Sequence, residues 1–308
     1  MTTAVPARTW AHHHLLDVEG LSRSEIEEVL AVAVEMREAR AARSHRSGLD
    51  AETVGLAFFE ASTRTRISFE LAAKALGATT VDLGVERSSV GKGESIVDTL
   101  RTLERTGVTT VVMRHSASGA AHLAARATGL RVINAGDGIH AHPTQALLDA
   151  LTLGEALGSL DGRVVVIVGD VAHSRVARSN IHALRALGVR VRVAGPAPWV
   201  AGFEHWPGVE VATTLADGLR DADAVMALRV QLERGAESFA DYVARWRLDD
   251  ERMATASPGA PLLHPGPTNE GVELTAELAS GPRSLIGRQV ENGVPIRMAV
   301  LALVCGAA

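Results

Sequence analysis

The chain is nearly devoid of cysteine, with Cys305 alone among 308 residues. That excludes an internal disulfide and any zinc site built on cysteines, and it fits a reducing cytosol. An excess of positive charge is missing as well. With 31 Lys and Arg against 36 Asp and Glu, the formal net charge is −5. A broad basic surface for nucleic acid is thereby excluded, and any anion site must be built locally from a few arginines. No run approaches the roughly 18 to 20 apolar residues of a membrane span, and the N-terminus lacks the apolar core of a signal peptide. We expect a cytoplasmic protein. There is neither an internal repeat nor a low-complexity tract. The triplet His12-His13-His14 presents three adjacent side chains that point in different directions, so it reads as an exposed leader and not as a chelating site.

What is present is an alternation of short β-branched runs with longer Ala/Leu/Glu/Arg-rich periodic segments, the pattern of mainly parallel sheets flanked by helices. At 46% hydrophobic composition, the chain can bury two α/β cores of ordinary size. The predicted strands are Thr53–Phe59, Thr79–Leu83, Val108–Arg114 and Arg131–Asn134, then Val164–Gly169, Arg190–Ala194 and Ala224–Leu228, with Pro261–Leu263 as a further candidate. An Ala/Leu-rich helix between Pro143 and Gly158, followed by the turn "SLDG", marks the domain boundary. The expected domains are 1–145 and 146–292, joined by interdomain helices, with an apolar helix at 293–306 packing back onto the first domain.

The stretch "FEASTRTRISFE", Phe59 to Glu70, packs three hydroxyls and two arginines into five residues before turning apolar. A strand ending near Phe59 and a helix through Ile67–Leu76 put "ASTR" in the strand-to-helix loop, with Ser62 as N-cap. Unpaired N–H groups at the helix start then converge with the hydroxyls of Ser62, Thr63 and Thr65 and with the fork of Arg64, which together suit a phosphate. Arg66 faces away from Arg64 and lies one turn from Glu70, with which it could form an ion pair. An ordinary capped helix with a solvated arginine would use the same residues, so the stretch alone leaves both readings open.

His142 and Gln145 in "HPTQ" stand three residues apart at a helix start and can reach one small group together. Arg175 follows the Val164–Gly169 strand, and Arg229 and Gln231 follow Ala224–Leu228, alternating in phase if extended. Two guanidiniums suit a dicarboxylate. The "VGD" turn lacks the G-x-G-x-x-G fingerprint, which argues against a nicotinamide cofactor. The "HAH" pair has no partner cluster that would make it a metal site.

Eight segments, in order over nearly the whole chain, carry a resemblance: "FFEASTRTRISFE", "SSVGKGES", "MRHSASGAA", "NAGDGIHAHPTQALLDALT", "VIVGDVAHSRVARSN", "MALRVQLER", "HPGPTNEGVE" and "QVENGVPIRMAVL". Together they resemble the aspartate/ornithine carbamoyltransferase family. The resemblance implies transfer of a carbamoyl group from carbamoyl phosphate to the α-amine of L-aspartate, giving N-carbamoyl-L-aspartate and phosphate early in pyrimidine (UMP) biosynthesis. It implies a carbamoyl-phosphate pocket of Ser62, Thr63, Arg64, Thr65 and Arg114. His142 and Thr65 would bond the carbonyl oxygen, and Gln145 the amide. Ser89 (Ser88 being the alternative) and Lys92 would come from a loop that reaches a neighbouring subunit's site in a homotrimer. Aspartate would meet Lys92, Arg175, Arg229 and Gln231, with the turn Pro265, Gly266 and Pro267 lining the space between the substrates. No metal or organic cofactor is implied; a dihydroorotase or a regulatory chain is the partner it suggests.

Two departures stand out. Glu270 occupies a position where many members are basic, and it could pair with Arg234; Ala61 precedes Ser62 where Pro or Asn is commoner. Both bear on affinity and not on reaction type. Two alternatives remain. Transfer to another amine such as ornithine is disfavoured by "HPGP" where ornithine enzymes usually carry "HCLP". A non-catalytic scaffold is disfavoured because Arg64, Lys92, Arg114, His142, Arg175 and Arg229 are all present.

Overall fold

A computed structural model of the chain describes residues 10–42, 48–84, 95–230 and 239–306. The chain divides into two compact units, residues 1–147 with 293–308, and residues 148–292.

The first unit contains α1 (Arg23–Ala41), β1 (Thr53–Phe58), α2 (Thr63–Ala75), β2 (Thr79–Asp82), α3 (Ile96–Arg105), β3 (Thr110–His115), α4 (Ala120–Ala127), β4 (Arg131–Asp137) and the start of α5 (Pro143–Leu157). Its strands pair in parallel in the order β2-β1-β3-β4. Ala57, Val111, Met113 and Val132 meet Leu100, Ala121 and Ala124 in the core. The second unit contains β5 (Val164–Val168), α6 (Arg175–Ala186), β6 (Arg190–Ala194), α7 (Ala197–Val200), β7 (Val209–Ala212), α8 (Leu215–Leu219), β8 (Ala224–Ala227), α9 (Phe239–Trp246), α10 (Asp250–Met253), β9 (Leu262–Leu263), α11 (Ala276–Ser280) and the beginning of α12 (Ile286–Cys305). Its sheet, also all parallel, has the order β7-β6-β5-β8-β9. The central β5, "VVVIV", is buried along its whole length. A strand covered on both faces has no use for alternation, hence the unbroken apolar run.

Several boundaries differ from the sequence reading. Strand β7, "VEVA", is a strand that reading missed: it is four residues long, mostly half-exposed and at the sheet edge, so it shows no apolar run. Strand β4 continues through Asn134-Ala-Gly-Asp137, residues with turn chemistry. They stay in the sheet because Asn134 and Asp137 bond each other and the adjacent backbone. Helix α12 starts at Ile286, ahead of the expected start at 293, and carries Pro295 in its interior.

The histidine triplet is only partly the exposed leader expected: His13 is exposed, whereas His12 and His14 are half-buried. His12 Nε2 lies 2.6 Å from Glu25 Oε1, and His14 Nδ1 accepts the Val132 N–H at 3.1 Å. Burial, then the neighbouring His13, lowers the His14 pKa. Among the described residues no group of three or more His, Cys, Asp or Glu side chains is arranged to hold a metal.

At the head of α1, Ser22 and Glu25 form a capping box: the Ser22 hydroxyl accepts the Glu25 N–H, and the Glu25 carboxylate accepts the Ser22 N–H. Ser22→Ala should therefore cost about 1 kcal/mol in urea unfolding of the first unit. Hydrogen bonds from the Ser22 hydroxyl and backbone, then from His12, hold the Glu25 pKa at about 2, against an ordinary value of 4.5. A carboxyl depressed in the folded state stabilises fully above its unfolded pKa and loses that contribution as pH falls through the folded one. The stability gap between wild type and Glu25→Gln should thus be widest above pH 4.5 and close as pH approaches about 2.

Candidate active site

In an open parallel sheet, ligands bind beyond the carboxyl ends of strands where the order reverses. The first sheet reverses at β1, which has β2 on one side and β3 on the other; the second reverses at β5, between β6 and β8. The carboxyl ends of β1, β3 and β4 carry the residues of the first cluster. Those of β5, β8 and β9 carry the residues of the second.

In the first unit, Ser62 is the N-cap of α2, extended at φ −160° and ψ 92°, but its hydroxyl makes no capping bond. The first intrahelical bond runs from the Arg66 N–H to the Ser62 carbonyl at 3.1 Å. Thr63 and Arg64 are exposed on the first turn, whereas Thr65 is 7% exposed and turned inward. Arg66 does not pair with Glu70: its guanidinium bonds Asp82 at the end of β2, and Lys74 takes Glu70 at 2.7 Å. Lys74 is one turn beyond Glu70 on the same face.

Arg114 stands near the end of β3, where the β3–β4 register shifts between Met113 and His115. Its guanidinium is mostly buried, with a side chain 12% exposed; Nη2 donates to Glu60 Oε1 at 2.6 Å and Nη1 to the Ala135 carbonyl at 3.3 Å. The Arg114 carbonyl in turn accepts the Phe59 and Glu60 N–H groups. The chain leaving β1 is thus tied at backbone and side chain to the end of β3, which puts Arg114 beside the loop that starts α2. Glu60 is a residue of this cluster that sequence reasoning missed, although it lies inside the stretch that led to Ser62.

His142 precedes α5, and its carbonyl accepts the Gln145 N–H at 3.0 Å and the Ala146 N–H at 3.3 Å. His142 and Gln145 are 5% and 9% exposed. The connection that delivers them is held by Asp137, also missed from sequence. Its buried carboxylate accepts the Gly119 N–H at 2.6 Å, Asn134 Nδ2 at 2.8 Å and the Ala141 N–H at 3.1 Å, and His140 Nδ1 lies 3.1 Å away. Gly138 turns the chain at φ +47°, pressed against Ser118, where a side chain would be both strained and obstructed.

In the second unit, Arg175 is the first residue of α6, capped by Ser174, whose hydroxyl accepts the Ala177 N–H at 3.1 Å. The preceding loop is folded by Asp170, which accepts the His173 N–H and meets His173 Nδ1 at 2.8 Å. Arg178 is structural: its guanidinium stacks on Phe203 and Trp206 and donates to the Ala172 carbonyl at 3.1 Å. Burial lowers its pKa. Arg229 is exposed between buried Leu228 and Val230, just past β8. Pro265, Gly266 and Pro267 follow β9, which pairs with β8. Ser88, Ser89, Lys92, Gln231 and Arg234 lie outside the described residues. Glu270, exposed, bridges Leu274 through its backbone.

Residues 13–155 match the family model described as aspartate/ornithine carbamoyltransferase, carbamoyl-P binding domain, and residues 161–304 match its Asp/Orn binding domain. The aspartate carbamoyltransferase catalytic subunit of Thermus thermophilus is 51% identical over 292 residues, covering 94% of this chain and 96% of that protein. The catalytic subunit of Methylorubrum populi is 49% identical over 309 residues, covering 97% and 96%. Among solved structures, aspartate transcarbamoylase from Trypanosoma cruzi in complex with carbamoyl aspartate and phosphate is similar at a TM-score of 0.84 and 30% identity, over 98% of each chain. Ornithine carbamoyltransferase from Pyrococcus furiosus is similar at 0.85 and 28% identity, over 100% of each.

Proposed function

Because this chain belongs to the aspartate/ornithine carbamoyltransferase family, we propose that it catalyses attack of the α-amine of L-aspartate on the carbonyl carbon of carbamoyl phosphate. The products are N-carbamoyl-L-aspartate and phosphate, a step toward pyrimidines. The observation that supports this reading is the bond from the Arg114 guanidinium, near the end of β3, to Glu60 in the loop that leads from the adjacent β1 to the Ser62–Thr65 helix start. Aspartate is favoured over ornithine as acceptor because relatives near 50% identity are aspartate enzymes, whereas the ornithine enzyme stands at 28%.

Ser62, Thr63, Thr65 and Arg64 bind the phosphate of carbamoyl phosphate at the positive end of α2, and Arg114 supplies a second guanidinium. An arriving dianion competes with Glu60 for that guanidinium. Thr65 and His142 donate to the carbonyl oxygen as it gains charge, and Gln145 holds the carbamoyl amide. The amine nitrogen bonds to carbon, the carbon–oxygen bond to phosphate breaks, and phosphate leaves with the electron pair and takes the amine proton. Arg175 and Arg229 bind the two carboxylates of aspartate. Gln231 and Lys92 belong to the same reading, as do the carbonyls of Pro265 and Gly266 and the rigid Pro267 beside them.

The assembly we infer is a homotrimer in which Ser89 and Lys92 complete a neighbour's site. Exposed Ile67 and Leu71, one turn apart on α2, support a subunit interface on the first unit. The lone cysteine supports a reducing, cytoplasmic setting. A dihydroorotase, which would consume the product, or a regulatory chain is the partner this chemistry suits, to be sought by co-purification.

The test is to supply the purified chain with carbamoyl phosphate and either aspartate or ornithine, and to follow product by mass. We expect aspartate-dependent turnover by a trimer, abolished in Arg64→Ala. A folded chain that carbamoylates ornithine instead, or neither amine, would overturn the assignment.

A further inference from the structure

The second unit contains a chain of buried polar side chains that the proposed chemistry does not use. Asn180 on α6 donates through Nδ2 to Asp149 on α5 at 2.8 Å. The other Asp149 oxygen accepts Gln289 Nε2, on α12, at 2.7 Å. Gln289 Oε1 accepts the His264 N–H at 2.9 Å. The His264 ring continues the chain: Nδ1 accepts the Gly266 N–H at 2.8 Å, and Nε2 lies 3.1 Å from Glu273 Oε1. That same oxygen accepts the Asn269 N–H at 2.6 Å, and Asn269 Nδ2 donates to the Val230 carbonyl at 3.0 Å. Asn180, Asp149, Gln289, His264 and Glu273 are each no more than 3% exposed.

The bonding sense is determined throughout. Asp149 only accepts, so the Gln289 amide must turn its NH2 toward it and its oxygen toward His264. Because Nδ1 accepts from Gly266, the His264 ring carries its hydrogen on Nε2 and donates to Glu273. A buried network of this kind holds its members in one register, and a broken link leaves donors or acceptors unsatisfied.

Its ends coincide with the acceptor-binding elements. Asn180 pins the helix that begins at Arg175, the His264–Glu273 contact closes the Pro265–Pro267 turn, and Asn269 ties that turn to Val230, next to Arg229. We propose that the Asp149–Gln289–His264–Glu273–Asn269 relay is a positioning device for the amino-acid acceptor, holding the Arg175 helix, the Arg229 segment and the Pro265–Pro267 turn in one register. The inference rests on the assignment of Arg175, Arg229 and the turn to aspartate binding.

Steady-state kinetics of the full-length enzyme test it, with L-aspartate and carbamoyl phosphate varied separately and thermal melting as a check on folding. Glu273→Ala, which removes the acceptor for both His264 and Asn269, should raise KM for aspartate about tenfold while leaving KM for carbamoyl phosphate unchanged. Glu273→Gln should restore most of the loss, since its amide oxygen can still accept both N–H groups. Asn269→Ala, at a half-buried position that the fold can tolerate, should show the same aspartate-selective effect and decides the matter if Glu273→Ala does not fold. An unchanged aspartate KM in the folded variants, or an equal change for both substrates, overturns the relay. Arg229→Ala separates this from the underlying assignment. If it leaves aspartate KM unchanged while Asn269→Ala raises it, the relay stands and the carboxylate role of Arg229 falls.

Discussion

Arg114→Ala is expected to lower kcat by about a thousandfold, the scale seen when a preorganised donor to a developing negative charge is removed. Two losses compound. The guanidinium is mostly buried and aimed by Glu60 and the Ala135 carbonyl, so its field acts where water screens it poorly. Its removal also leaves the Glu60 carboxylate beside the site proposed for a phosphate, turning an attractive locus into a repulsive one. Arg114→Lys should recover only part of the rate, because an ammonium cannot contact Glu60, Ala135 and an anion with one planar fork. Adding Glu60→Gln to Arg114→Ala should recover more than Glu60→Gln contributes alone, the signature of coupled residues. The measurement is kcat and KM for carbamoyl phosphate at saturating aspartate. A loss smaller than about tenfold would move the phosphate away from Arg114.

The second large effect is on stability. Asp137→Ala should destabilise the first unit by about 3 to 5 kcal/mol, the range for breaking a buried polar network and leaving its donors unpaired. The carboxylate is 1% exposed and accepts from Gly119, Asn134 and Ala141. The Asn134 and Ala141 donors would be left in a place that water does not reach, and the Gly119 N–H in a partly buried one. Asp137→Asn should be nearly as damaging, because its NH2 would face groups that are themselves donors. The same substitutions should reduce turnover beyond their effect on folding, since this turn delivers His142 to the start of α5. Urea unfolding followed alongside activity, at concentrations where the variant remains folded, separates the two consequences. A variant with wild-type unfolding would show that the turn is held by its backbone alone.

The sequence by itself determined the layers and marked the cations that are candidates for the chemistry. Buried parallel strands announce themselves locally as β-branched runs, and helix starts by the residue types that cap them. Ser62 through Arg66 therefore read as a strand-to-helix transition, and His142 with Gln145 as neighbours at a helix start, where α5 begins one residue after His142. Where local signal and context disagreed, context prevailed: β7 is too short and exposed to show a pattern, and the Asn134–Asp137 segment has turn residues yet extends the sheet. Only the tertiary structure decided which side chains hold the candidate functional ones. Glu60 meets Arg114 across 54 residues of sequence, and Gln289 meets Asp149 across 140. Arg66 bonds Asp82, 16 residues away, in preference to a glutamate one turn along its own helix. Such pairings are set by strand order and by the exclusion of water, neither of which leaves a trace in the spacing of residues along the chain. The charged groups proposed to carry the chemistry were legible because they are unusual where they stand; their supports were not, because a buried polar residue acquires its role only from the segment folded against it.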